Sequence, residues 1–387
     1  MEYVNLNEIA DILNGYNFKS SNYVEEGIRV IRITNVQQGY LEDKEPVYYS
    51  YSSELERYML KENDLLMSLT GNVGRVGIIS NELLPAGLNQ RVACIRCKNS
   101  NFSTKYLFYF FNNEMFRKNA INNSNGVAQL NLSTEWLKNV KIPSYSKEEQ
   151  QKIIRQLDNI VVSIDNKKKE IEILDNLIKS QFIEMFGDLN SNNKGWKIEP
   201  LSKKIKLANN GMARRGKDEA GSIVLRLVEL QTGYIDYSNP NRISLSESEK
   251  NRFELLENDL LFARVNGNPD YVGRCAVFKK IDENVYHNDH IIRVRLDQNE
   301  INSCFLSFLI NSQYGKRQLK GNIKTSAGQY TISQDGIGSI EVILPPIELQ
   351  NQFESIFQQI DKSKYILQKQ IDVLQELLDS KMEEFFG

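Results

Sequence analysis

Histidine is almost missing: His287 and His290 are the only two in 387 residues, which leaves little for imidazole acid–base chemistry. Proline (8) and glycine (22) together fall below the usual share, which excludes collagen-like and low-complexity chains. The four cysteines, at irregular positions 94, 97, 275 and 304, form no disulfide framework and suit a reducing cytoplasm. The opening MEYVNLNEIADIL has acidic residues, no basic segment and no apolar core, so no secretory signal is expected. No run approaches the ~18 apolar residues of a membrane span. Neither sign of charge dominates: 48 basic and 50 acidic residues, net −2, argue against a uniformly basic nucleic-acid coat while leaving room for a local basic face.

What is present is globular. Hydrophobic residues make up 41% and charged residues 25%, and the length suits two to three domains of ~100–200 residues. The chain also repeats itself at an offset of about 200 residues. RVIRITNVQQGY (Arg29 to Tyr40) answers IVLRLVELQTGY (Ile223 to Tyr234), keeping Arg32/Arg226, Gln37/Gln231, Gly39/Gly233 and Tyr40/Tyr234. ENDLLM (Glu62 to Met67) answers ENDLLF (Glu257 to Phe262), and Gly74-Arg75 answers Gly273-Arg274. VAQLNLS (Val127 to Ser133) answers AGQYTIS (Ala327 to Ser333), the exits end at Pro143 and Pro345, and the halves close on MFG and FFG at Gly187 and Gly387.

Each half has two parts of different period. The first ~145 residues are short β-branched or aromatic runs broken by Asn, Gly and Pro, which read as strands. The last ~40 have no glycine until their final position and read as one long helix. Ile153, Leu157, Ile160, Ile164, Ile171, Leu174 and Ile178 recur in alternating steps of four and three in the first helix, with Lys167 inside the stripe. Phe353, Phe357, Ile360, Leu367, Ile371, Leu374 and Leu378 do the same in the second, with Lys364 inside it. A mean step of ~3.5 is the period of a coiled-coil seam. Two amphipathic helices on separate cores is the plainer alternative, but the matched register favours their packing on each other. At 1.5 Å per residue each helix spans ~54 Å, against ~30 Å for a compact 150-residue domain. The expected class is α+β: two repeated β-rich α/β domains separated by two long antiparallel coiled-coil helices, pseudo-two-fold. The expected boundaries are 1–146, 147–187 (central helix), 188–345 with a short linker, and 346–387 (C-terminal helix).

Charge differs between these parts. The helices 147–187 and 346–387 are acidic by five charges, whereas residues 196–345 carry 21 basic and 18 acidic groups. Polyanion binding therefore belongs to the globular parts. Several of their loops mix Arg or Lys with Gly, Asn and Gln, the combination that grips phosphates and reads base edges. The candidates are Thr70, Asn72 and Arg75; Gln90 and Arg91; Asn125 and Gln129; Arg214, Arg215 and Lys217; Arg264, Asn266 and Asn268; Arg274; and Lys324 and Gln329. Each alone reads as a solvated turn. Their occurrence at equivalent places in both halves, with different residues, is the pattern of paired readers of different sequences.

Enzyme readings find little. Asn268 to Tyr271 (NPDY) echoes a methyltransferase tetrapeptide but lacks its second proline and a glycine-rich cofactor loop. Gly71, Gly74 and Gly77 match neither a dinucleotide nor a phosphate-loop fingerprint. Cys94/Cys97 and His287/His290 have metal-ligand spacing, but the repeat places them in different domains, and strand alternation puts the two thiols on opposite faces. No catalytic residue and no metal site are expected.

The order of these phrases, with the ENDLLM/ENDLLF scaffolds, the KIP and ILPP exits and the helix starts EEQQKI and IELQNQF, resembles the specificity (S) subunit of type I restriction-modification enzymes over essentially the whole chain. The resemblance implies two target-recognition domains, each reading half of a split, asymmetric target in double-stranded DNA. It implies helices that space the half-sites and dock methyltransferase (M) subunits, two per chain, with a restriction (R) subunit completing the nuclease. Adenine methylation with S-adenosylmethionine and cleavage with ATP and magnesium are then the partners' work, leaving no cofactor in this chain and no membrane contact. Two heads on one face of the duplex would place half-site centres about 10 base pairs apart. Two features depart from the family pattern: KIPSYSKEEQ lacks the double proline, and Leu349 stands where a Glu commonly precedes Gln350. The alternative from another class is a two-headed coiled-coil scaffold that binds proteins and not DNA.

Overall fold

The structure is a computed structural model and describes residues 2–98, 100–126, 129–326 and 328–387. It forms two compact units, Met1–Glu170 with Leu367–Gly387 (unit 1) and Ile171–Ile366 (unit 2). Val127, Ala128 and Ala327 of the repeated VAQLNLS and AGQYTIS phrases lie outside the described residues.

In unit 1 an antiparallel sheet runs in the order Ala10–Asn14, Val92–Cys97, Leu65–Ser68, Val76–Ile78. Its middle strands are apolar on both faces over most of their length, Leu65–Met67 and Val92–Ile95, because both faces are covered. Ala93, Ile95 and Met67 enter the core under the helices, while Val92, Cys94 and Leu66 enter a second core on the other face. A second sheet follows the order Tyr23–Val24, Tyr48–Tyr49, Ile28–Ile31, Ala86–Leu88, the last pair parallel, and Tyr3–Asn5 pairs with Lys141–Pro143.

Unit 2 repeats the design. Ile205–Asn210, Ile291–Leu296, Leu260–Ala263 and Cys275–Val277 form the antiparallel sheet. Ser222–Leu225 lies between Arg242–Ile243 and the parallel Val285–His287, and Lys197–Pro200 pairs with Glu341–Leu344. The hairpin Lys324–Ser326 and Gln329–Thr331 adds a small sheet with Val265–Asn266.

The shared phrases mark scaffold contacts. Gln37 N donates to the Tyr40 carbonyl and Gln231 N to that of Tyr234, both at 3.0 Å, and Gly39 and Gly233 share φ +86°. Only glycine takes that conformation cheaply. In ENDLL the buried Asp64 is held by Arg96 (Nε to Oδ1 2.7 Å), as Asp259 is by Arg295 (2.7 Å), a two-pronged grip that satisfies an otherwise costly buried charge.

Reading the first ~145 residues of each half as strands alone needs correction. Each unit also holds shorter helices, among them the pairs Thr104–Phe111 with Glu114–Asn122 and Ser303–Asn311 with Gln313–Asn322. In the first of these Tyr106, Leu107, Tyr109, Phe110 and Phe111 are all buried, so no polar face marks a 3.6 period and the run resembles a buried strand.

The two long helices are Lys147–Phe186 and Ile347–Phe386. Ser146 and Glu149 open the central helix as a capping box, Ser146 N donating to Glu149 Oε2 (2.9 Å) and Glu149 N to Ser146 Oγ (3.3 Å). The C-terminal helix begins after Pro345-Pro346, with Gln350 N donating to the Pro346 carbonyl at 3.2 Å. Both departures from the family pattern thus leave the helix start intact.

Each unit's main core contains residues of both helices, which decides against separate packing. Ile153 and Leu157 lie with Met382 and Phe386 in unit 1, and Ile178, Phe182 and Phe186 with Phe353 and Ile360 in unit 2. Early residues of one helix meet late residues of the other, so within each unit the helices run antiparallel. Ile164 and Ile371 are buried, and Ile160, Ile171, Leu174, Phe357, Leu367, Leu374 and Leu378 are half-buried, which puts every seam position on the covered side. Inside the stripe Lys167 Nζ donates to Gln370 Oε1 and Lys364 Nζ to Asp175 Oδ1, each at 2.6 Å.

A buried glutamine ties each helix to its head. Gln150 accepts from Ser103 N (3.0 Å) and donates to the Asn101 and Tyr145 carbonyls (2.9 Å each). Two hundred residues on, Gln350 accepts from Asn302 N (2.9 Å) and donates to the Pro345 carbonyl (2.8 Å). No helix is long and apolar enough to cross a membrane, among the described residues.

Candidate nucleic-acid interface

Four backbone segments converge in each unit, held by the same hydrogen bonds. In unit 1 Tyr16 N donates to the Leu88 carbonyl (2.8 Å), Gln90 N to that of Tyr16 (3.0 Å), Leu69 N to that of Arg91 (3.0 Å) and Leu132 N to that of Leu69 (2.8 Å). In unit 2 the matching bonds are Met212 N to His287 (3.1 Å), Asp289 N to Met212 (2.9 Å), Arg264 N to His290 (2.8 Å) and Ile332 N to Arg264 (2.9 Å). The loops around Tyr16, Leu69, Arg91 and Leu132 therefore form one site, and those around Met212, Arg264, His290 and Ile332 form its counterpart. Backbone bonds fix the frame, so the side chains at the tips are free to diverge.

In unit 1 this site collects Thr70, Gln90, Arg91, Asn125 and Asn131. Thr70 is buried and its hydroxyl donates to Asn131 Oδ1 (2.9 Å), so it supports the loop and does not project from it. Gln90 is exposed and donates to Asn17 Oδ1 at 3.1 Å, presenting two amides side by side. Arg91, Asn125, Gln129 and Asn72 are exposed. In unit 2 Arg215 pairs with Asp289 (2.7 Å), and its Nη2 lies 3.3 Å from His290 Nε2. Arg214 pairs with Glu249 (3.0 Å), while Lys217 stands exposed near Glu219 (3.9 Å). Arg264 reaches the Asp289 carbonyl at 3.0 Å, which brings the Arg215, His290 and Arg264 side chains together around Asp289. Asn266 and Asn268 spend their Oδ1 atoms on backbone amides of their own turn, and Lys324 and Gln329 are exposed on the neighbouring hairpin.

Arg75 and Arg274 make contacts within the fold. Arg75 donates to Gln37 Oε1 (3.0 Å), and Arg274 donates to the Leu227 carbonyl (3.1 Å) while lying 5.3 Å from the centre of the Tyr271 ring. Burial lowers the Arg274 pKa. These two repeated arginines brace the loop that carries the Gln37/Gln231 turn.

Sequence reasoning missed Asn17 and Asn131, which stand at the same convergence as the chosen residues. No local signal marks them, because an isolated Asn in a polar loop reads as a solvated turn; the repeated backbone bonds reveal the convergence. It likewise set His290 aside with His287, although His290 lies against Arg215. His287 is buried, and desolvation together with Arg293 pushes its pKa down to about 3. Cys94 and Cys97 sit on opposite faces of their strand, one in each core. NPDY forms a single turn capped by Asn268. Among the described residues no group of three or more His, Cys, Asp or Glu is placed to hold a metal ion.

Comparison with known proteins agrees with this duplicated design. The family described as the type I restriction modification DNA specificity domain matches residues 1–176 and again 219–376. The chain is 27% identical to the type I restriction enzyme StySPI specificity subunit of Salmonella potsdam, across 94% of this chain and 82% of that one. It is 24% identical to the EcoKI specificity subunit of Escherichia coli, with the same coverage. In fold it resembles the crystal structure of the type I restriction-modification S subunit from M. genitalium, with TM-score 0.59 at 14% identity, covering 100% of this chain and 96% of that one. With that domain matched twice over most of its length, the protein belongs to the type I restriction-modification DNA specificity family, as a specificity subunit with two target-recognition domains.

Proposed function

We propose that each unit reads one half of a bipartite, asymmetric target in double-stranded DNA with its four-loop site. Phosphate contacts position the unit, and base-edge contacts supply discrimination of ~1–3 kcal/mol per good bidentate pair. The two long helices, both shared between the units, space the half-sites and dock two methyltransferase subunits. Specificity subunits of this family are non-catalytic. Adenine methylation with S-adenosylmethionine, and cleavage with ATP and magnesium where a restriction subunit joins, fall to those partners in the cytoplasm. The observation that carries this reading is the repeated backbone frame bearing amide-rich tips in unit 1 and arginine-rich tips in unit 2. A common frame with different tips suits two readers of different sequences. Membership of a DNA specificity family leaves no support for the protein-only scaffold.

The test is co-expression with the methyltransferase of its system and genome-wide mapping of modified adenines. Replacing residues 196–345 with another recognition domain is expected to change one half of the modified sequence and keep the other. A change in both halves overturns independent reading. Inserting one heptad in both helices is expected to alter the gap alone.

A further inference from the structure

One backbone position is built identically in the two units and carries different chemistry in each. Asn89 bridges to Tyr16 on the crossing loop, as Asn288 bridges to Met212. Each asparagine accepts, through Oδ1, the backbone amide two residues on, Arg91 N at 3.2 Å and His290 N at 3.1 Å. The loops cross so closely that a Cβ on Gly15 or Gly211 would fall 2.2 Å from the facing backbone. The residue between, Gln90 in unit 1 and Asp289 in unit 2, is therefore held in the same place. Its N–H donates to the Tyr16 carbonyl (3.0 Å) or to that of Met212 (2.9 Å).

The side chains at that position diverge. Gln90 Nε2 donates to Asn17 Oδ1 at 3.1 Å, and both residues are exposed. A single bond between two amides leaves the Gln90 Oε1 and further N–H groups unengaged, so the pair shows water an acceptor beside donors. Asp289 has acceptors alone and directs them inward, its Oδ1 lying 2.7 Å from Arg215 Nη2. The exposed Arg215 guanidinium then presents donors only. Base edges in the major groove distinguish these two displays. Adenine sets the N7 acceptor beside the N6 donor and suits an amide, whereas guanine sets two acceptors, N7 and O6, side by side and suits a guanidinium.

We propose that this position selects a different purine in each half-site: Gln90 reads an adenine for unit 1, and Arg215 reads a guanine for unit 2. The proposal rests on the reading above that the four-loop sites face DNA, and names the bases and their readers. Asn17 and Asp289 are positioning residues. Asn17 sets the plane of the Gln90 amide, and Asp289 turns the guanidinium while Arg215 neutralises a carboxylate that would otherwise repel phosphates. The target's asymmetry is then rooted in one exchange, an amide pair for an acid–arginine pair on a common frame.

The test uses the full chain in complex with the methyltransferase of its system. Mapping modified adenines gives the target, which is then varied one base pair at a time in binding competition. Gln90→Ala is expected to lose the preference at one A·T pair of one half-site, by at least about tenfold. Asn17→Ala is expected to lose it at the same pair. Gln90→Glu keeps the side chain's size but removes its donors, so it too loses the adenine preference, which a mere packing role would preserve. Arg215→Ala is expected to lose the preference at one G·C pair of the other half-site. All these substitutions fall on exposed side chains, and unfolding midpoints are expected to stay in place. Three outcomes overturn the proposal and spare the reading on which it rests: a G·C pair relaxed by Gln90→Ala, an A·T pair relaxed by Arg215→Ala, or different pairs relaxed by Gln90→Ala and Asn17→Ala. Folded variants whose preference is unchanged at every base pair, or weakened equally at all, overturn both.

Discussion

Lys364 Nζ lies 2.6 Å from Asp175 Oδ1, joining the two long helices of unit 2 at a position where the repeated seam of the central helix carries Ile164. Both side chains keep substantial solvent contact, which limits the pair to ~0.2–1 kcal/mol. A charged group inside a seam serves register more than strength. Lys364→Ile is therefore expected to leave the thermal midpoint unchanged or slightly raised, whereas Asp175→Ala lowers it slightly by leaving the amine without its partner. Thermal unfolding of the two variants side by side checks the sign.

Gln350 and Gln150 carry more. Each is buried and satisfies three backbone groups of its own unit, so truncation to alanine leaves those groups unpaired away from water. The expected cost is about 1–3 kcal/mol for each. Hydrogen exchange should report it locally: Gln350→Ala raises exchange at Asn302 and the start of the C-terminal helix, and Gln150→Ala at Ser103 and the start of the central helix. A loss spread evenly over the chain would contradict the staple role.

How much of this could be read from residues alone follows from period and locality. The seams were legible because their apolar positions recur in alternating steps of four and three over about seven turns, and the repeat because ENDLL and the Gln-x-Gly-Tyr turn encode backbone geometry and a buried ion pair that tolerate little change. The head helices were not, since Tyr106 to Phe111 is covered on all sides and has no polar face to betray its pitch. Arg75 and Arg274 read as DNA ligands in the sequence, while their contacts lie with Gln37 and the Leu227 carbonyl; a repeated arginine in a glycine loop reads alike in either role. The loop tips were legible as polar but not as one site, because only the tertiary hydrogen bonds bring them together.

That distinction makes a testable split. Arg215→Ala removes a cation from the unit 2 tip and is expected to weaken DNA binding and relax specificity at one position of one half-site, by ~1–3 kcal/mol if the contact is bidentate. Arg274→Ala is expected to lower stability, with the modified sequence unchanged in the fraction that folds. Mapping modified adenines for both variants, alongside their unfolding midpoints, separates reading from bracing.

The pH dependence of unit 2 has an identifiable contributor in His287. Its folded pKa of about 3 lies far below the ordinary value near 6.5, chiefly because burial disfavours the charged ring and then because Arg293 repels it. The unfolded chain therefore binds more protons between these two values. His287 contributes no pH dependence above about 6.5, and stability falls as pH drops from there toward 3, by up to ~1.4 kcal/mol per pH unit. The equivalent residue in unit 1 is Leu88, held by the same backbone bond, Tyr16 N to Leu88 beside Met212 N to His287. His287→Leu is expected to preserve the fold at neutral pH and to flatten the acid limb of the unit 2 unfolding curve. Denaturant midpoints measured from pH 7 to pH 4 check this; an acid limb as steep as that of the unaltered chain would assign the proton uptake to other groups.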